Sequence, residues 1–129
     1  MNLKAPQGTV DHLKALLTSK RLPASDEYKL HRAVGELLTD AGLKYWPEFR
    51  MDTRGKDRID FYFPDSLVGM ECKVKAGGGD TNRQLLRYAL SGKVSELVLL
   101  TSRPHENLPA FFEVEGKQIP LTVIQLATL

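Results

Sequence analysis

The sequence lacks the features that mark secreted, membrane-spanning and zinc-binding proteins. It has one cysteine, Cys72, which excludes an internal disulfide framework and any site built from several cysteines. No apolar run approaches the roughly 18 residues that a membrane-spanning helix needs. Residues 1–10 lack a basic segment followed by an apolar stretch, so we expect no signal peptide. Together these absences predict a cytoplasmic protein that does not enter a membrane.

Several catalytic and cofactor-binding motifs are also missing. No glycine-rich loop is followed by Lys-Ser or Lys-Thr, which excludes a P-loop. The three glycines at 77–79 lack the spacing of a dinucleotide-binding turn. Cys72 has no evident histidine partner, so a thiol nucleophile is not expected. The histidines are scattered without the spacing of metal ligands: His12, His31 and His105.

The chain does have the composition of a globular protein. Its 129 residues are 42% hydrophobic and 26% charged, which fits one domain spanning residues 1–129. The formal net charge is +2, but it is uneven. Residues 73–103 hold six basic and two acidic side chains, a net charge of +4, which leaves −2 for the rest. Such a segment suits either a nucleic-acid partner or an ordinary solvated face.

Apolar periodicity and turn residues predict three helices and six strands. The helices are expected over Val10–Lys20, from an N-cap at Ser25 to Ala41, and over Thr81–Leu90. The strands are expected over Tyr45–Met51, Arg58–Phe63, Leu67–Val74, Glu96–Thr101, Phe111–Val114 and Leu121–Leu126. Pro47 suggests that the first strand lies at an edge or carries a bulge.

The order of these elements predicts an α/β fold. Two helices precede three strands, and a helix then connects to a further strand and two short C-terminal strands. A meander followed by a helical crossover gives a central mixed β-sheet with helices on its faces.

The most informative residues lie on the second and third predicted strands. Glu71 and Lys73 are two apart and therefore share one face of their strand, whereas Met70 and Cys72 point the other way. Asp60 is expected to face away from the apolar side chains of its own strand. Those apolar side chains should share one face: Ile59, Phe61 and Phe63. If the two strands form a hairpin, both carboxylates can lie side by side.

Two carboxylates beside a lysine suit phosphodiester hydrolysis. Hard oxygen ligands bind Mg²⁺ or Mn²⁺, which can hold a phosphate oxygen and activate water. An ion pair on a solvated sheet face would explain the same residues. Glu-x-Lys occurs three times here, at 27–29, 71–73 and 115–117, but only the middle one follows a strand that carries an aspartate amid apolar residues.

At these residues the chain resembles the PD-(D/E)XK nuclease superfamily. Asp60, followed after ten residues by Glu71-Cys72-Lys73, is similar to its motif, with Ile59 in place of the usual proline. The resemblance implies a restriction-endonuclease-like fold. It also implies that Asp60, Glu71 and the Cys72 backbone carbonyl bind the metal and that Lys73 assists attack by water.

The superfamily usually carries a further glutamate on the helix before the sheet. Glu27 falls about 50° from the centre of the apolar stripe of that helix, and Glu36 falls about 130° away. Glu27 is therefore the better candidate for a catalytic residue, although the helix dipole would equally explain an acid in the first turn. His31, one turn later, could reach substrate or be an ordinary surface residue.

The third predicted helix resembles the RecB-like branch of the superfamily. Gln84 and Tyr88 are four apart and share a face. The resemblance implies that Gln84 holds the lysine or a water and that Tyr88 lies near DNA, with Lys75, Arg83 and Arg87 as phosphate contacts. An ordinary amphipathic helix remains the alternative, with three residues pointing inward: Leu85, Leu86 and Ala89.

The sequence therefore predicts a metal-dependent DNA nuclease, selective for DNA structure or ends rather than sequence. So small a core would be helped by a second copy, so a homodimer is expected. Two alternatives stay open: a nucleic-acid-binding module or nuclease-complex subunit without catalysis, and an α/β protein whose charged residues form a surface ion network.

Overall fold

The structure, a computed structural model, describes residues 8–74, 79–103 and 107–126. In these residues three helices and six strands follow the predicted order. The helices are α1 (Val10–Leu17), α2 (Glu27–Asp40) and α3 (Gly79–Leu90). The strands are β1 (Trp46–Arg50), β2 (Arg58–Phe63), β3 (Val68–Lys73), β4 (Glu96–Thr101), β5 (Phe111–Val114) and β6 (Lys117–Gln125).

The six strands form one mixed sheet in the order β1-β2-β3-β4-β6-β5. The first three strands are an antiparallel meander. After α3, β4 runs parallel to β3, and β6 runs parallel to β4. The hairpin of β5 and β6 turns at Glu115 and Gly116, both at positive φ. The α/β fold with a mixed sheet is thus confirmed, as is the edge position of the strand that contains Pro47.

Helices cover both faces of the sheet and create two apolar cores. On the face covered by α1 and α2, here called the α2 face, the leucines of both helices pack on Phe63, Met70 and Leu100. On the opposite face, the α3 face, Leu85 and Tyr88 pack on side chains that include Leu97. β4 lies between the two cores, which explains its continuous apolar sequence. No helix in the described ranges is both long and apolar enough to cross a membrane.

The bounds of α2 show how local chemistry sets a helix end. The predicted N-cap Ser25 is wrong, because Asp26 caps the helix and its carboxylate accepts the N–H of Lys29 at 3.0 Å. Gly42 follows the helix at a φ of +74°, a left-handed conformation that glycine adopts without a steric penalty. The helix buries four residues at helical spacing: Leu30, Val34, Leu37 and Leu38.

The expected alternation of side chains in β2 is wrong at one point. Phe61 and Phe63 pack on the α2 face, but Ile59 packs on the α3 face. The register pairs Pro47 with Phe61 and Phe49 with Ile59, so the break falls at Asp60, opposite Glu48 at a φ of +49°. A distortion shared by both strands therefore sets the position of Asp60.

Candidate active site

The site lies where β2 and β3 separate. Their paired residues end at Phe61 and Met70, whereas β3 stays paired with β4 as far as Lys73. Beyond that point carboxylates supply the hydrogen bonds. The N–H of Cys72 donates to Asp60 Oδ2 at 2.8 Å, and the N–H of Asp60 donates to Glu71 Oε1 at 3.2 Å. The structure thus brings both predicted acids together.

Glu71 is buried on the α3 face with only 4% of its surface exposed. Its Oε2 lies 3.5 Å from Lys73 Nζ, and its Oε1 accepts the phenol of Tyr88 at 3.4 Å. Burial and the nearby charge of Asp60 raise the pKa of Glu71 to about 8, against the opposing effect of Lys73. The positive charge of Lys73 therefore does not fully offset the unfavourable effects of burial and of Asp60 on the charged form of Glu71.

Asp60 belongs to a second group of potential ligands that sequence reasoning missed. His31 Nε2 lies 3.7 Å from Asp60 Oδ1 and 3.2 Å from Glu48 Oε1. One donor atom from each of the three residues lies within 4.8 Å of the others. The ring of His31 stacks on Phe61 with centroids 4.5 Å apart and its side chain is 28% exposed, so it is not an ordinary surface histidine.

The pKa of Asp60 is raised as well. Burial has the largest effect, and the charge of Glu48 adds to it. The N–H of Cys72 and the neighbouring His31 act in the opposite direction. Two adjacent carboxylates with raised pKa values, one buried and one partly buried, form an environment that a cation would stabilise.

The donor atoms suit a hard divalent cation. Carboxylate oxygens of Asp60 and Glu71 are ligands that Mg²⁺ and Mn²⁺ prefer. His31 and Glu48 offer further donors on the other side of Asp60. The residues present therefore fit a metal such as Mg²⁺ or Mn²⁺.

Lys73 pairs with the buried Glu71 and also lines a surface cavity of about 290 Å³. Its side chain is about a quarter exposed. Gln84, which the resemblance implied holds the lysine or a water, lies on the wall of the same cavity. The lining consists of Lys73, Asp80, Thr81, Arg83, Gln84 and Arg87. The cavity gives a polar ligand direct access to the ammonium group.

The two candidate glutamates of α2 lie in different surroundings. Glu27 Oε1 accepts the N–H of Val74 at 3.2 Å, which places its carboxylate beside the end of β3. Glu36 is exposed and pairs with Arg32 at 3.5 Å. Only Glu27 is therefore near the separated strands.

The prediction that Tyr88 contacts DNA is wrong. Tyr88 has no exposed surface, and its phenol donates to Arg58 O at 2.9 Å as well as to Glu71. Burial and the neighbouring carboxylates raise the pKa of the phenol, so it remains a donor. Leu86, expected to point inward, is 40% exposed.

The two arginines of α3 that were predicted to contact phosphates each form an ion pair with an acidic residue. Arg83 pairs with Asp80, and Arg87 Nε lies 3.1 Å from Asp57 Oδ1. Both arginines remain about half or more exposed. Lys75, the third predicted contact, falls outside the described residues.

Sequence signals for the missed residues differ. His31 is four residues after Glu27, so the two share a helix face, and this spacing pointed to a common site. Glu48 carried no such signal, because its position depends on the distortion of β1 that only the structure shows.

Comparisons with known proteins add no family to this geometry. The chain matches no protein-family model, no curated protein and no solved structure. Its function must therefore be inferred from the residues themselves.

Proposed function

We propose that this chain is a metal-dependent DNA nuclease of the PD-(D/E)XK type, with a restriction-endonuclease-like fold, that hydrolyses phosphodiester bonds. The observation that carries the proposal is the meeting of Asp60, Glu71 and Lys73 where β2 and β3 separate. Glu71 is buried, and Asp60 and Lys73 are partly exposed. Asp60 and Glu71 are linked through hydrogen bonds to the backbone N–H groups of Cys72 and Asp60, and Lys73 forms an ion pair with Glu71.

The acids are the residues that would hold the cation. Asp60 and Glu71 supply carboxylate oxygens, and the backbone carbonyl of Cys72, between Glu71 and Lys73, is the third proposed ligand. A divalent cation bound there would neutralise the acids, polarise the phosphate and activate the attacking water. The raised pKa values of both acids support this assignment, because burial and the neighbouring carboxylate disfavour the charged forms when no cation is bound.

Lys73 is placed to act on substrate. Its ammonium group contacts Glu71 on one side and borders the cavity on the other. From there it can orient the attacking water and stabilise the negative charge that grows on the phosphate as the P–O bond breaks. Gln84, on the wall of the same cavity, can accept or donate a hydrogen bond to the lysine or the water.

Glu27 and Tyr88 would hold neighbouring residues of the site in position. Glu27 holds the backbone of Val74 at the end of β3, and Tyr88 holds the carboxylate of Glu71. The chain offers little surface for reading a base sequence, so we propose selectivity for DNA structure or ends. A homodimer would supply the surface that one small domain lacks for gripping a duplex.

The decisive experiment is a cleavage assay on plasmid and linear duplex DNA with Mg²⁺ or Mn²⁺, and with EDTA in place of metal. We expect metal-dependent cleavage by the wild-type protein. Lys73→Ala and Glu71→Gln should lower the rate by about 10²–10³-fold while DNA binding persists. Glu113→Gln, an exposed acid on β5, is the matched control and should cleave as the wild type does.

The outcomes separate catalysis from binding. Full activity in both purified site variants would refute the site. A wild-type protein that binds DNA but never cuts it would instead identify the chain as a non-catalytic nucleic-acid-binding module.

A further inference from the structure

The loop between β1 and β2, with the residues that flank it, presents an uneven charge surface. This segment, residues 50–58, is here called the hairpin tip. Its basic side chains are exposed: Arg50, Arg54, Lys56 and Arg58. Its two acids, Asp52 and Asp57, are only partly exposed. The segment therefore shows solvent mainly its positive charges.

One of the two acids, Asp52, fixes the shape of the hairpin tip. Asp52 Oδ1 accepts the N–H groups of Lys56 and Asp57 at 3.1 and 3.3 Å. The N–H of Met51 donates to the carbonyl of Asp57 at 2.7 Å and closes the loop. These hydrogen bonds stabilise the backbone conformation of the loop. They therefore fix the positions on the backbone from which the basic side chains extend.

The basic residues have no such internal use. Arg54, Lys56 and Arg58 form no ion pair within the parts of the chain that the structure covers. Gly55 turns the loop at a φ of +72°, and Arg50 lies across it, because a Cβ added at Gly55 would be 3.2 Å from Arg50 Nε. All four cations therefore lie around one tight turn.

The hairpin tip is tied to the wall of the candidate site. Asp57 pairs with Arg87, which lines the cavity that Lys73 borders. The carbonyl of Arg58 accepts the phenol of Tyr88, which also contacts the buried Glu71. The C-terminal end of the hairpin tip, at Asp57 and Arg58, thus lies beside the place where a phosphodiester would be cut.

We propose that the hairpin tip is the main phosphate-binding surface for duplex DNA. This rests on the proposed nuclease function and replaces α3 in that role, since Arg83 and Arg87 already have acidic partners. Arg54, Lys56 and Arg58 bind the backbone phosphates that flank the scissile bond. Such contacts position DNA without reading its sequence, which agrees with selectivity for structure or ends.

The test measures duplex binding by fluorescence anisotropy in EDTA, where no cutting occurs, over a series of salt concentrations. The hairpin variant carries Arg54→Gln, Lys56→Gln and Arg58→Gln. The control removes the same charge from exposed residues of α1 and the segment that follows it, with Lys14→Gln, Lys20→Gln and Arg21→Gln. Unfolding curves verify that both variants fold.

We expect the hairpin variant to bind at least about tenfold more weakly at low salt, with a salt slope that is smaller by about 2–3. The control should retain most of the affinity and slope. A variant carrying only Arg83→Gln should bind almost as the wild type does, because that arginine has a partner.

Three results would overturn the inference: wild-type binding by the hairpin variant, equal losses in the hairpin and control variants, or a larger loss from Arg83→Gln. If such a result accompanies metal-dependent cleavage by the wild type, the nuclease function stands and only the location of the DNA surface is wrong. A wild type that neither binds nor cuts DNA refutes both.

Discussion

The phenol of Tyr88 lies 3.4 Å from Glu71 Oε1, at a position with no exposed surface. The same phenol is 2.9 Å from the carbonyl of Arg58 on the neighbouring strand. One side chain of α3 therefore contacts both strands at the place where they separate. The orientation of the buried carboxylate thus depends on how α3 packs.

Replacing Tyr88 with Phe should alter metal binding as well as stability. The variant loses its hydrogen bonds in a buried site, which should cost about 1–2 kcal/mol of unfolding free energy. Glu71 also loses a partner that fixes its orientation, so cleavage should require more Mg²⁺. Initial rates over a Mg²⁺ titration and urea unfolding test both effects.

Tyr45→Phe is the control for that change. Tyr45 also uses its phenol, which donates to Gly35 O at 3.1 Å, but on the α2 face away from Glu71. It should lose stability without any change in Mg²⁺ requirement. An unaltered Mg²⁺ requirement in Tyr88→Phe would show that its phenol has only a structural role.

Stability without metal should fall as the pH rises from about 4.5 to about 8. The pKa of Glu71 is raised from 4.5 to about 8 in the folded protein, so over this range the folded state holds a proton that the unfolded chain releases. The loss of stability is absent well below pH 4.5 and complete well above about pH 8. The pKa of Asp60 shifts in the same direction.

Added Mn²⁺ or Mg²⁺ should cancel this fall, because the cation takes the place of the proton. Thermal melts at several pH values, with EDTA or with metal, measure the effect. Glu71→Gln should flatten the profile in EDTA. A profile that rises with pH in wild-type protein without metal would contradict the assignment.

The two glutamates of α2 should differ in importance. Glu27→Ala should lower the cleavage rate by about tenfold or more, because it removes the oxygen that holds the end of β3 beside the site. Glu36→Ala should cleave normally, since that side chain pairs with Arg32 at the surface. Rates at saturating metal compare the variants, and equal rates would leave Glu27 as a helix-terminal acid only.

Two glycine-to-alanine substitutions should change stability in opposite directions. At Gly69 in β3 a Cβ would lie 2.5 Å from Ile59 Cδ1 and 3.0 Å from Val94 Cγ1, so the α3-face core would have to shift at a cost of about 1–3 kcal/mol. At Gly35 in α2 the nearest atom would be Tyr45 Oη at 3.5 Å. Gly35→Ala should therefore stabilise the helix by up to about 1 kcal/mol.

Denaturant unfolding at a single pH gives both free energies. A neutral Gly69→Ala would mean that Ile59 and Val94 can move aside without cost. Destabilisation by Gly35→Ala would mean that contact with the phenol of Tyr45 outweighs helix propensity.

Periodicity was enough to predict the elements and part of the site. The strands Arg58–Phe63, Glu96–Thr101 and Phe111–Val114 have the bounds expected from the sequence. Glu71 and Lys73 lie on one face of β3 because a spacing of two residues requires it. Such features depend only on local residue order, so they can be read without knowledge of the packing.

The features that were missed depend on contacts between distant segments. The break in alternation at Asp60 arises with the distortion at Glu48 in the adjoining strand, which no single stretch of sequence encodes. The resemblance implied that Tyr88 lies near DNA, and its spacing from Gln84 shows only that the two residues share a helix face. That spacing does not show whether the face is buried. The burial of Tyr88 follows only from its packing against Arg58 and Glu71.

The order of strands in the sheet determines which strand edge stays unpaired while the chain is being synthesised. β6 pairs directly with β4, and β5 lies outside it, although β5 precedes β6 in sequence. A nascent chain that has reached only β5 therefore leaves one edge of β4 unpaired. The apolar residues of that strand, 97–100, are fully buried in the finished protein. We expect this edge of β4 to be open to pairing with other chains until β6 emerges from the ribosome, so slow translation of this segment should favour aggregation.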